Sequence, residues 1–471
     1  MTTDATTPDT DVSFPESTHA VPTLVVLGAG GDLTSRLLLP GLAGLVSLRQ
    51  AQVRLVGSGN SEIDDQAWRD TVRRAFGALT GPELNGVVDG TRYVQADATN
   101  PTDLERLLST LEQGPVILYF ALPPKVTERA CRALTQVRLP SDTRLVLDKP
   151  FGTDSASAEE LNELVTGLVP EDRIFRVDHY LGMSTVLNLF GVRFANRMLE
   201  SVLDASHVAS VEVNLYESLA LEGRAGYYDG TGALTDMLQS HALHVLGFLA
   251  MESPSTLNAQ DVRDATAAVL RATRIWDDDP SAASRRARYT AGTTGDREVP
   301  AYVDEEGVDP TRGTETWAEM VVEVDTWRWA GVPFRLRSGK ALRQLNKHVV
   351  ITFRDPNRIP GGLQGYEHPD RMKIGLDPAR LRLEINVNGP ADPSTLERVA
   401  MESELAPGHL PPYGQVLAGV LTGDPTLSVR GDQAVQTWRI VEPVLRAFRE
   451  NAVPLEEYPA GSDGPLAGPT P

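Results

Sequence analysis

The tripeptide Asp178-His179-Tyr180 places a carboxylate, an imidazole and a phenol at three successive positions. It follows residues 173–177, whose apolar pattern predicts a short β-strand. Three adjacent polar side chains at the end of a strand rarely serve packing alone. A carboxylate beside a histidine either holds a catalytic imidazole or binds a polar substrate. We therefore take this segment as part of a candidate active site.

His241 is a second candidate, within a helical pattern over residues 233–251. It shares an apolar stripe with Leu234 and Leu238, which by itself favours a buried, hydrogen-bonded core histidine. Imidazole is also the natural general base near neutral pH. Asp236 lies five residues earlier, about 140° around an ideal α-helix. The spacing alone therefore does not aim Asp236 and His241 at one point.

A glycine-rich turn follows the apolar run 23–27 and opens a helical pattern. Glycines in such a turn let backbone N–H groups approach a pyrophosphate at the helix N-terminus. The usual third glycine is replaced by Leu33, so a turn without a ligand remains an alternative. The candidate cofactor-binding positions are Gly28, Gly30, Gly31, Asp32 and Leu33.

The choice between NAD and NADP is normally made at the end of the second strand, where a cation favours the 2′-phosphate. This chain has Asn60 there, followed by Glu62, Asp64 and Asp65. A 2′-phosphate would meet no cation and would lie near like charge. We expect NAD to be preferred, unless a more distant cation such as Arg36 supplies the missing charge.

The elements that position these residues suggest two domains, as does the length of 471 residues. Strand-like and helix-like stretches alternate up to about residue 175, which predicts a parallel sheet. Later stretches such as 210–216 and 348–353 alternate with period two, as antiparallel strands do. We predict an α/β Rossmann dinucleotide-binding domain at 21–175 and an α+β substrate and oligomerisation domain with a large, mostly antiparallel sheet at 176–460. The expected loose tails are 1–20 and 461–471.

Composition excludes several classes of protein. The net charge of −20 argues against nucleic acid and anionic membranes as partners. No apolar run is long enough to predict a transmembrane helix, and the acidic first twenty residues have the wrong polarity for a signal peptide. Cys131 is the only cysteine, so a reducing cytoplasm fits. No cluster of His and Cys has metal-ligand spacing, so no metal is expected.

Several motifs together resemble the glucose-6-phosphate dehydrogenase family. Residues 176–182 are similar to the family signature Arg-Ile-Asp-His-Tyr-Leu-Gly, and residues 148–152 to Glu-Lys-Pro-Phe-Gly. Residues 236–241 are similar to Asp-Val-Met-Gln-Asn-His, and the glycine-rich turn to Gly-x-x-Gly-Asp-Leu. The matches occur in the family's order and extend from about residue 22 to 460.

The resemblance implies roles for the candidate residues. His241 would be the general base, Asp178 would orient it and stabilise the imidazolium, and Lys149 would position sugar and cofactor. Taken singly, most of the charged residues would be solvated surface groups. The implied substrate contacts are His179 and Tyr180 on the 6-phosphate and Glu217, Asp236 and Lys340 on the sugar hydroxyls. The implied cofactor contacts are Gly28, Gly30, Gly31, Asp32, Leu33, Asn60, Pro123 and Lys149.

Two positions depart from the family pattern. Met183 and Leu345 stand where the family has cations that bind the substrate phosphate. Losing two charge-assisted hydrogen bonds of about 1.5–3 kcal/mol each would lower the affinity by roughly 10²–10⁴ if nothing replaced them. Arg343 and Lys347 are the nearby residues that could replace them. The substrate is therefore either glucose 6-phosphate or a hexose with another substituent at that position.

The resemblance predicts an NAD- or NADP-dependent enzyme of the pentose phosphate pathway that oxidises an aldohexose at C1 to the lactone. It also suggests a homodimer or homotetramer. Two rival functions remain open: a sugar oxidoreductase acting at another carbon, and a non-catalytic dinucleotide-binding regulatory subunit. Retention of Lys149, Asp178, Asp236 and His241 argues against the regulatory subunit.

Overall fold

The computed structural model describes residues 20–49 and 51–465. The tails predicted at 1–20 and 461–471 lie mostly outside these residues. Within the described part, no helix is long and apolar enough to cross a membrane. The described chain forms two compact units.

The first unit contains a six-stranded sheet of order β3-β2-β1-β4-β5-β6, whose neighbours from β3 to β5 pair in parallel. This order confirms the predicted Rossmann-like fold. β1 and β4 are buried at every residue, because helices cover both faces of a parallel sheet. The strands are β1 (Thr23–Leu27), β2 (Arg54–Gly59), β3 (Arg92–Gln95), β4 (Val116–Phe120), β5 (Arg144–Asp148) and β6 (Ile174–Val177).

Helices alternate with these strands, beginning with a π-helical turn at Thr34–Leu38. The α-helices are α1 (Leu39–Arg49), α2 (Asp65–Phe76), α3 (Pro82–Gly90), α4 (Pro101–Ser109), α5 (Pro124–Leu134) and α6 (Ser155–Thr166). The sequence predicts a single domain boundary near residue 175. In the structure, residues 148–163 belong to the second unit and His409–Asp424 to the first.

The second unit is built on a ten-stranded mixed sheet of order β17-β16-β15-β14-β7-β13-β12-β9-β18, with β8 paired to β12. Most neighbours are antiparallel, as predicted, but β7 with β13 and β9 with β18 are parallel. The strands are β7 (Val208–Tyr216), β8 (Thr273–Ile275), β9 (Ser284–Thr290), β10 (Gly292–Thr294), β11 (Arg297–Val299), β12 (Trp317–Val324), β13 (Pro333–Gly339), β14 (Asn346–Phe353), β15 (Arg371–Asp377), β16 (Ala379–Asn388), β17 (Leu396–Glu404) and β18 (Leu455–Pro459). β10 and β11 form a separate hairpin.

The remaining helices complete the chain. They are α7 (Ser184–Phe194), α8 (Arg197–Glu200), α9 (Ala225–Tyr228), α10 (Leu243–Ala250), α11 (Ala259–Ala272), α12 (Pro412–Thr422) and α13 (Gly431–Arg449). α12 packs with α1 inside the first unit, where a Cβ on Gly41 would lie 2.8 Å from the Gly414 nitrogen. Such long-range packing leaves no local signal in the sequence.

The helical pattern predicted over residues 233–251 is two elements in the structure. Leu234–Ala242 is a π-helix, and α10 continues from it. A carboxylate oxygen of Glu315 accepts a hydrogen bond from the Leu234 N–H at 3.0 Å and so stabilises the start of the π-helix. Gly232 precedes it with a φ of +70°, and a Cβ there would overlap the Glu315 carboxylate.

Candidate active site

The centre of the site is a buried pair formed by Asp178 and His241. Asp178 follows β6, and His241 lies on the π-helix. The Nδ1 atom of His241 is 2.5 Å from Oδ1 of Asp178, and the two residues are 1% and 0% exposed. The structure therefore brings together two candidate residues that are 63 positions apart in the sequence.

A second imidazole, which the sequence analysis missed, binds the same carboxylate. His244 on α10 is buried, and its Nδ1 is 2.7 Å from Oδ2 of Asp178. The Tyr180 backbone N–H adds a bond of 3.0 Å to Oδ1. The only signal in the sequence was a pair of histidines three residues apart, which lie on one face of a helix.

The charge of Asp178 determines which ring nitrogens carry protons. Burial by itself raises the pKa of Asp178, but His241 and His244 outweigh it and hold the pKa well below the ordinary value. An ionised carboxylate only accepts hydrogen bonds, so Nδ1 is the donor in both rings. In a neutral His241 this leaves Nε2 as the proton acceptor. Burial lowers the pKa of His241 despite the opposing charge of Asp178.

Aromatic rings hold His241 in place. The Tyr180 ring stacks on the imidazole with centroids 3.9 Å apart and planes inclined by 17°. The His179 ring meets it edge-on at 4.8 Å. Burial, with the neighbouring His241, puts the pKa of His179 well below its ordinary value. These contacts restrict rotation of His241 while its Nδ1 is bound to Asp178.

The partly buried Lys149 and the buried Asp236 form a second pair. Nζ of Lys149 donates to the Asp236 carbonyl at 2.6 Å and to its Oδ1 at 3.0 Å. Tyr227, to which the sequence analysis gave no role, donates to the same Oδ1 at 3.2 Å. Burial raises the pKa of Asp236, but Lys149 and Lys340 outweigh it and lower the pKa. The carboxylate is therefore held ionised beside a lysine.

The π-helix changes the spacing argument made from an ideal α-helix. Its hydrogen bonds close over five residues, so residues five apart lie on one side of the helix. Asp236 and His241 have this spacing, and the charge of each contributes to the pKa of the other. The angle of about 140° between the two residues holds for an α-helix, whereas Leu234–Ala242 is a π-helix.

Glu217 and two lysines form a third group. Lys340 donates to Oε2 of Glu217 at 2.7 Å. Nζ of Lys347 lies 3.9 Å from Oε1 of Glu217 and 5.1 Å from the centroid of the Tyr180 ring. Arg343, the other candidate replacement cation, is 66% exposed in its side chain and pairs with Asp463 at 3.0 Å. The structure therefore brings Lys347, and not Arg343, to the predicted phosphate residue Tyr180.

Ligand-type atoms of Asp178, His179 and His241 lie within 4.8 Å of one another. The sequence spacing did not anticipate this group. Both oxygens of Asp178 and Nδ1 of His241 are already engaged in hydrogen bonds between these side chains and His244. These hydrogen bonds favour a role for His241 in proton transfer.

The candidate cofactor residues lie in the first unit. Gly28 has a φ of +93°, and a Cβ there would overlap the Ala121 carbonyl oxygen, whereas a Cβ on Gly30 would meet no atom within 4 Å. The turn lies at the end of β1, where strand order reverses between β2 and β4. Such a switch point with a backbone cradle fits a dinucleotide phosphate.

The remaining cofactor residues surround the same strand ends. Asn60 is exposed directly after β2, and Pro123 directly precedes α5. Arg36 pairs with Asp32 at 3.1 Å, and both side chains are largely exposed. Asp65 turns towards β3, where it accepts from the Tyr93 N–H at 2.8 Å.

Comparisons with known proteins agree with this architecture. Residues 25–188 match the family described as "Glucose-6-phosphate dehydrogenase, NAD binding domain", and residues 190–469 match "Glucose-6-phosphate dehydrogenase, C-terminal domain". The chain is 36% identical over 468 residues to glucose-6-phosphate 1-dehydrogenase of Mycolicibacterium smegmatis, covering 94% of each protein. It is 36% identical over 464 residues to that of Gluconobacter oxydans, with the same coverage.

Solved structures give the same result. The crystal structure of glucose-6-phosphate 1-dehydrogenase from Mycobacterium avium superposes with a TM-score of 0.82 at 29% identity, covering 95% of each chain. A structure described as "Glucose-6-phosphate dehydrogenase in complex with its substrate glucose-6-phosphate" gives 0.83 at 27% identity, covering 96% of this chain and 97% of that one.

Proposed function

Because the chain belongs to the glucose-6-phosphate dehydrogenase family, we propose that it oxidises glucose 6-phosphate at C1 to the lactone while NAD(P) is reduced. The observation that carries the proposal is the buried hydrogen bond of 2.5 Å between His241 and Asp178. It supplies an oriented base of the kind this oxidation requires.

The reaction removes a proton from O1 and a hydride from C1 as the C1–O1 double bond forms. The bound dinucleotide supplies the hydride acceptor. Nε2 of His241 takes the O1 proton, because its Nδ1 proton is committed to Asp178. The imidazolium that results is stabilised by the Asp178 carboxylate, and the stacked Tyr180 ring keeps it in place. These residues thus accept and hold one proton at a defined atom.

The remaining polar groups are assigned to substrate binding. Glu217, Asp236 and Lys340 offer one cation and two carboxylates to the sugar hydroxyls. Lys149 holds Asp236 and positions the sugar. His179 and Tyr180 are assigned to the 6-phosphate. Their position beside Lys347 supports glucose 6-phosphate as the substrate, because this lysine supplies a cation where Met183 and Leu345 do not.

We assign the cofactor to the turn of Gly28, Gly30, Gly31, Asp32 and Leu33, with NAD preferred over NADP. The exposed Asn60 supports this preference, since it offers a 2′-phosphate no charge. Arg36, the alternative cation, is paired with Asp32. An NADP preference of tenfold or more, about 1.4 kcal/mol, would contradict the assignment.

We also propose that the enzyme is a homodimer or homotetramer that associates through the second sheet. β17 supports this, because Val399 and Met401 on this strand are 37% and 52% exposed. Sedimentation equilibrium of the chain, with and without Met401→Glu, tests the assignment. A monomer at micromolar concentration would contradict it.

The experiment that tests the proposed function is a set of initial rates with glucose 6-phosphate and with free glucose, each with NAD and with NADP. We expect efficient turnover of glucose 6-phosphate, and product analysis should show oxidation at C1. Turnover of glucose but not of its phosphate would mean that Met183 and Leu345 mark a changed specificity. Tight dinucleotide binding without turnover of either sugar would favour the regulatory subunit.

A further inference from the structure

The Asp178 carboxylate has two imidazole partners, whereas orienting a single base requires one. Oδ1 faces Nδ1 of His241 at 2.5 Å, and Oδ2 faces Nδ1 of His244 at 2.7 Å. Both rings are buried, and the carboxylate has no exposed surface. Each oxygen therefore has its own ring, and neither ring competes for the other's acceptor.

The His244 side chain makes no second hydrogen bond among the residues that the structure describes. Its Nε2 is buried without a hydrogen-bond partner there. A buried polar atom without a partner lowers the stability of the folded state by about 1–3 kcal/mol. An apolar side chain would therefore suit this position better if it served packing alone. The bond to Asp178 is the interaction that distinguishes this ring from an apolar side chain of similar size.

We propose that His244 is a positioning residue, which fixes the Asp178 carboxylate with Oδ1 towards His241 and shares its negative charge. This inference rests on the proposed role of His241 as the base. Without His244, Oδ2 would lose its donor, and the carboxylate charge would be shared only by His241 and the Tyr180 N–H, both of which bind Oδ1. His244 does not contact the reacting atoms in this scheme.

The consequence for His241 has a definite sign. More negative charge on Oδ1 stabilises the imidazolium, so removal of His244 should raise the pKa of His241. The other groups that face His241 are the rings of His179 and Tyr180 and the pair formed by Lys149 and Asp236. These groups are unchanged in a His244 variant, so a shift can be assigned to the lost hydrogen bond.

The matched variants are His244→Ala and His244→Asn. Asparagine places its Nδ2 where the histidine has Nδ1, so it can donate to the same oxygen, and alanine cannot. If His244→Ala does not fold, His244→Leu fills the volume and also donates nothing. We expect kcat to fall about tenfold to a hundredfold in the non-donating variant, with KM within about twofold, the range known for partners that orient metal-binding histidines. His244→Asn should restore most of kcat.

The decisive measurement is the titration of His241 by NMR in protein labelled with ¹⁵N at histidine, since the chain has eight histidines. We expect its midpoint to move to higher pH in the non-donating variant and to return in His244→Asn. An unchanged midpoint without the donor, or an equal shift in His244→Asn, would overturn the inference. The titration needs no substrate. A wild-type protein inactive on glucose 6-phosphate would therefore refute the proposed function and leave this result standing.

Discussion

Glu217 and Lys340 meet because the strands that precede them run parallel and in register. Tyr216 at the end of β7 pairs with Gly339 at the end of β13, so the next residue of each strand leaves the sheet beside the other. Nζ of Lys340 then lies 2.7 Å from Oε2 of Glu217. An antiparallel pairing would have placed the two residues at opposite ends of the strands. One of the two parallel pairs in the second sheet thus builds part of the site.

Replacement of His241 by asparagine should remove the base and keep the fold. Nδ2 of asparagine can still donate to Asp178, so the buried carboxylate stays satisfied. We expect kcat to fall by about 10²–10⁴ with a small change in melting temperature. His207→Asn is the matched control, because His207 also bonds an aspartate, Asp204 at 2.9 Å, but is half exposed. Near-normal turnover of His241→Asn would remove His241 from the base role.

Replacement of Lys347 by methionine should weaken binding of the phosphorylated substrate selectively. The loss of one charge-assisted contact should raise KM for glucose 6-phosphate about tenfold to a hundredfold, with little change in the rate on free glucose. Arg343→Met is the control and should change neither. Adding Leu345→Lys to Lys347→Met should recover part of the loss. Equal effects of the Lys347 and Arg343 variants would contradict the assignment.

Replacement of Asn60 by arginine should move cofactor preference towards NADP. A guanidinium there would pair with the 2′-phosphate, so we expect the ratio of kcat/KM for NADP to that for NAD to rise at least about tenfold. Asp296→Arg is the control for added positive charge, because Asp296 is exposed in the hairpin between β10 and β11. A similar rise in the control would assign the effect to net charge.

Activity should persist below the pH at which an ordinary histidine is protonated. Burial lowers the pKa of His241 from 6.5, although Asp178 opposes the shift, so the neutral base remains available in more acid solution. We expect the midpoint of the acid limb of kcat/KM, which reports the free enzyme, to lie below pH 6.5. The profile should be measured at glucose 6-phosphate concentrations well below KM, where the rate is proportional to kcat/KM. A midpoint above pH 6.5 would contradict the prediction.

Replacement of Glu315 by glutamine should stabilise the protein at alkaline pH. Burial raises the pKa of Glu315 from 4.5 to about 7, despite the opposing backbone N–H groups and Arg286. The folded state therefore binds this proton more tightly than the unfolded state, and stability declines as the pH rises from 4.5 to 7. Glutamine keeps an oxygen for the Leu234 N–H and has no charge to bury.

The gain in the free energy of unfolding should reach up to about 3 kcal/mol at pH 8 and nearly vanish at pH 4.5. Urea unfolding at both pH values measures it. Glu298→Gln, at an exposed position on β11, should show no such dependence. A gain that is equal at both pH values would exclude the buried charge as its cause.

The sequence predicted the parts of the fold that have a strong local pattern. β1 has the bounds of the apolar run 23–27, because a run of apolar residues buried on both faces has few other conformations. β9, with the sequence Ser-Arg-Arg-Ala-Arg-Tyr-Thr, was not predicted. Its buried Arg286 is tolerated because it donates to the Val453 carbonyl, and that contact comes from the end of the chain.

The candidate site was likewise predicted only where the sequence has a local motif. Asp178, Asp236 and His241 were selected from motifs, and the structure brings them close together. His244 had no assigned role, and Lys347 was one of two alternative cations, because their positions depend on the helix type and on the start of β14. A hydrophobic pattern does not distinguish an α-helix from a π-helix, and that difference decides where a side chain points.

The π-helix also makes this segment sensitive to its length. Relative to an α-helix it accommodates an additional residue per turn, and Leu234–Ala242 contains both Asp236 and His241. In an α-helix the two residues would share one face only if they were four residues apart, one fewer than in this chain. With the present spacing of five, an ordinary helix would keep every side chain of the segment but would turn Asp236 and His241 about 140° apart. The geometry of the site therefore depends on the number of residues between Asp236 and His241 as well as on their identity.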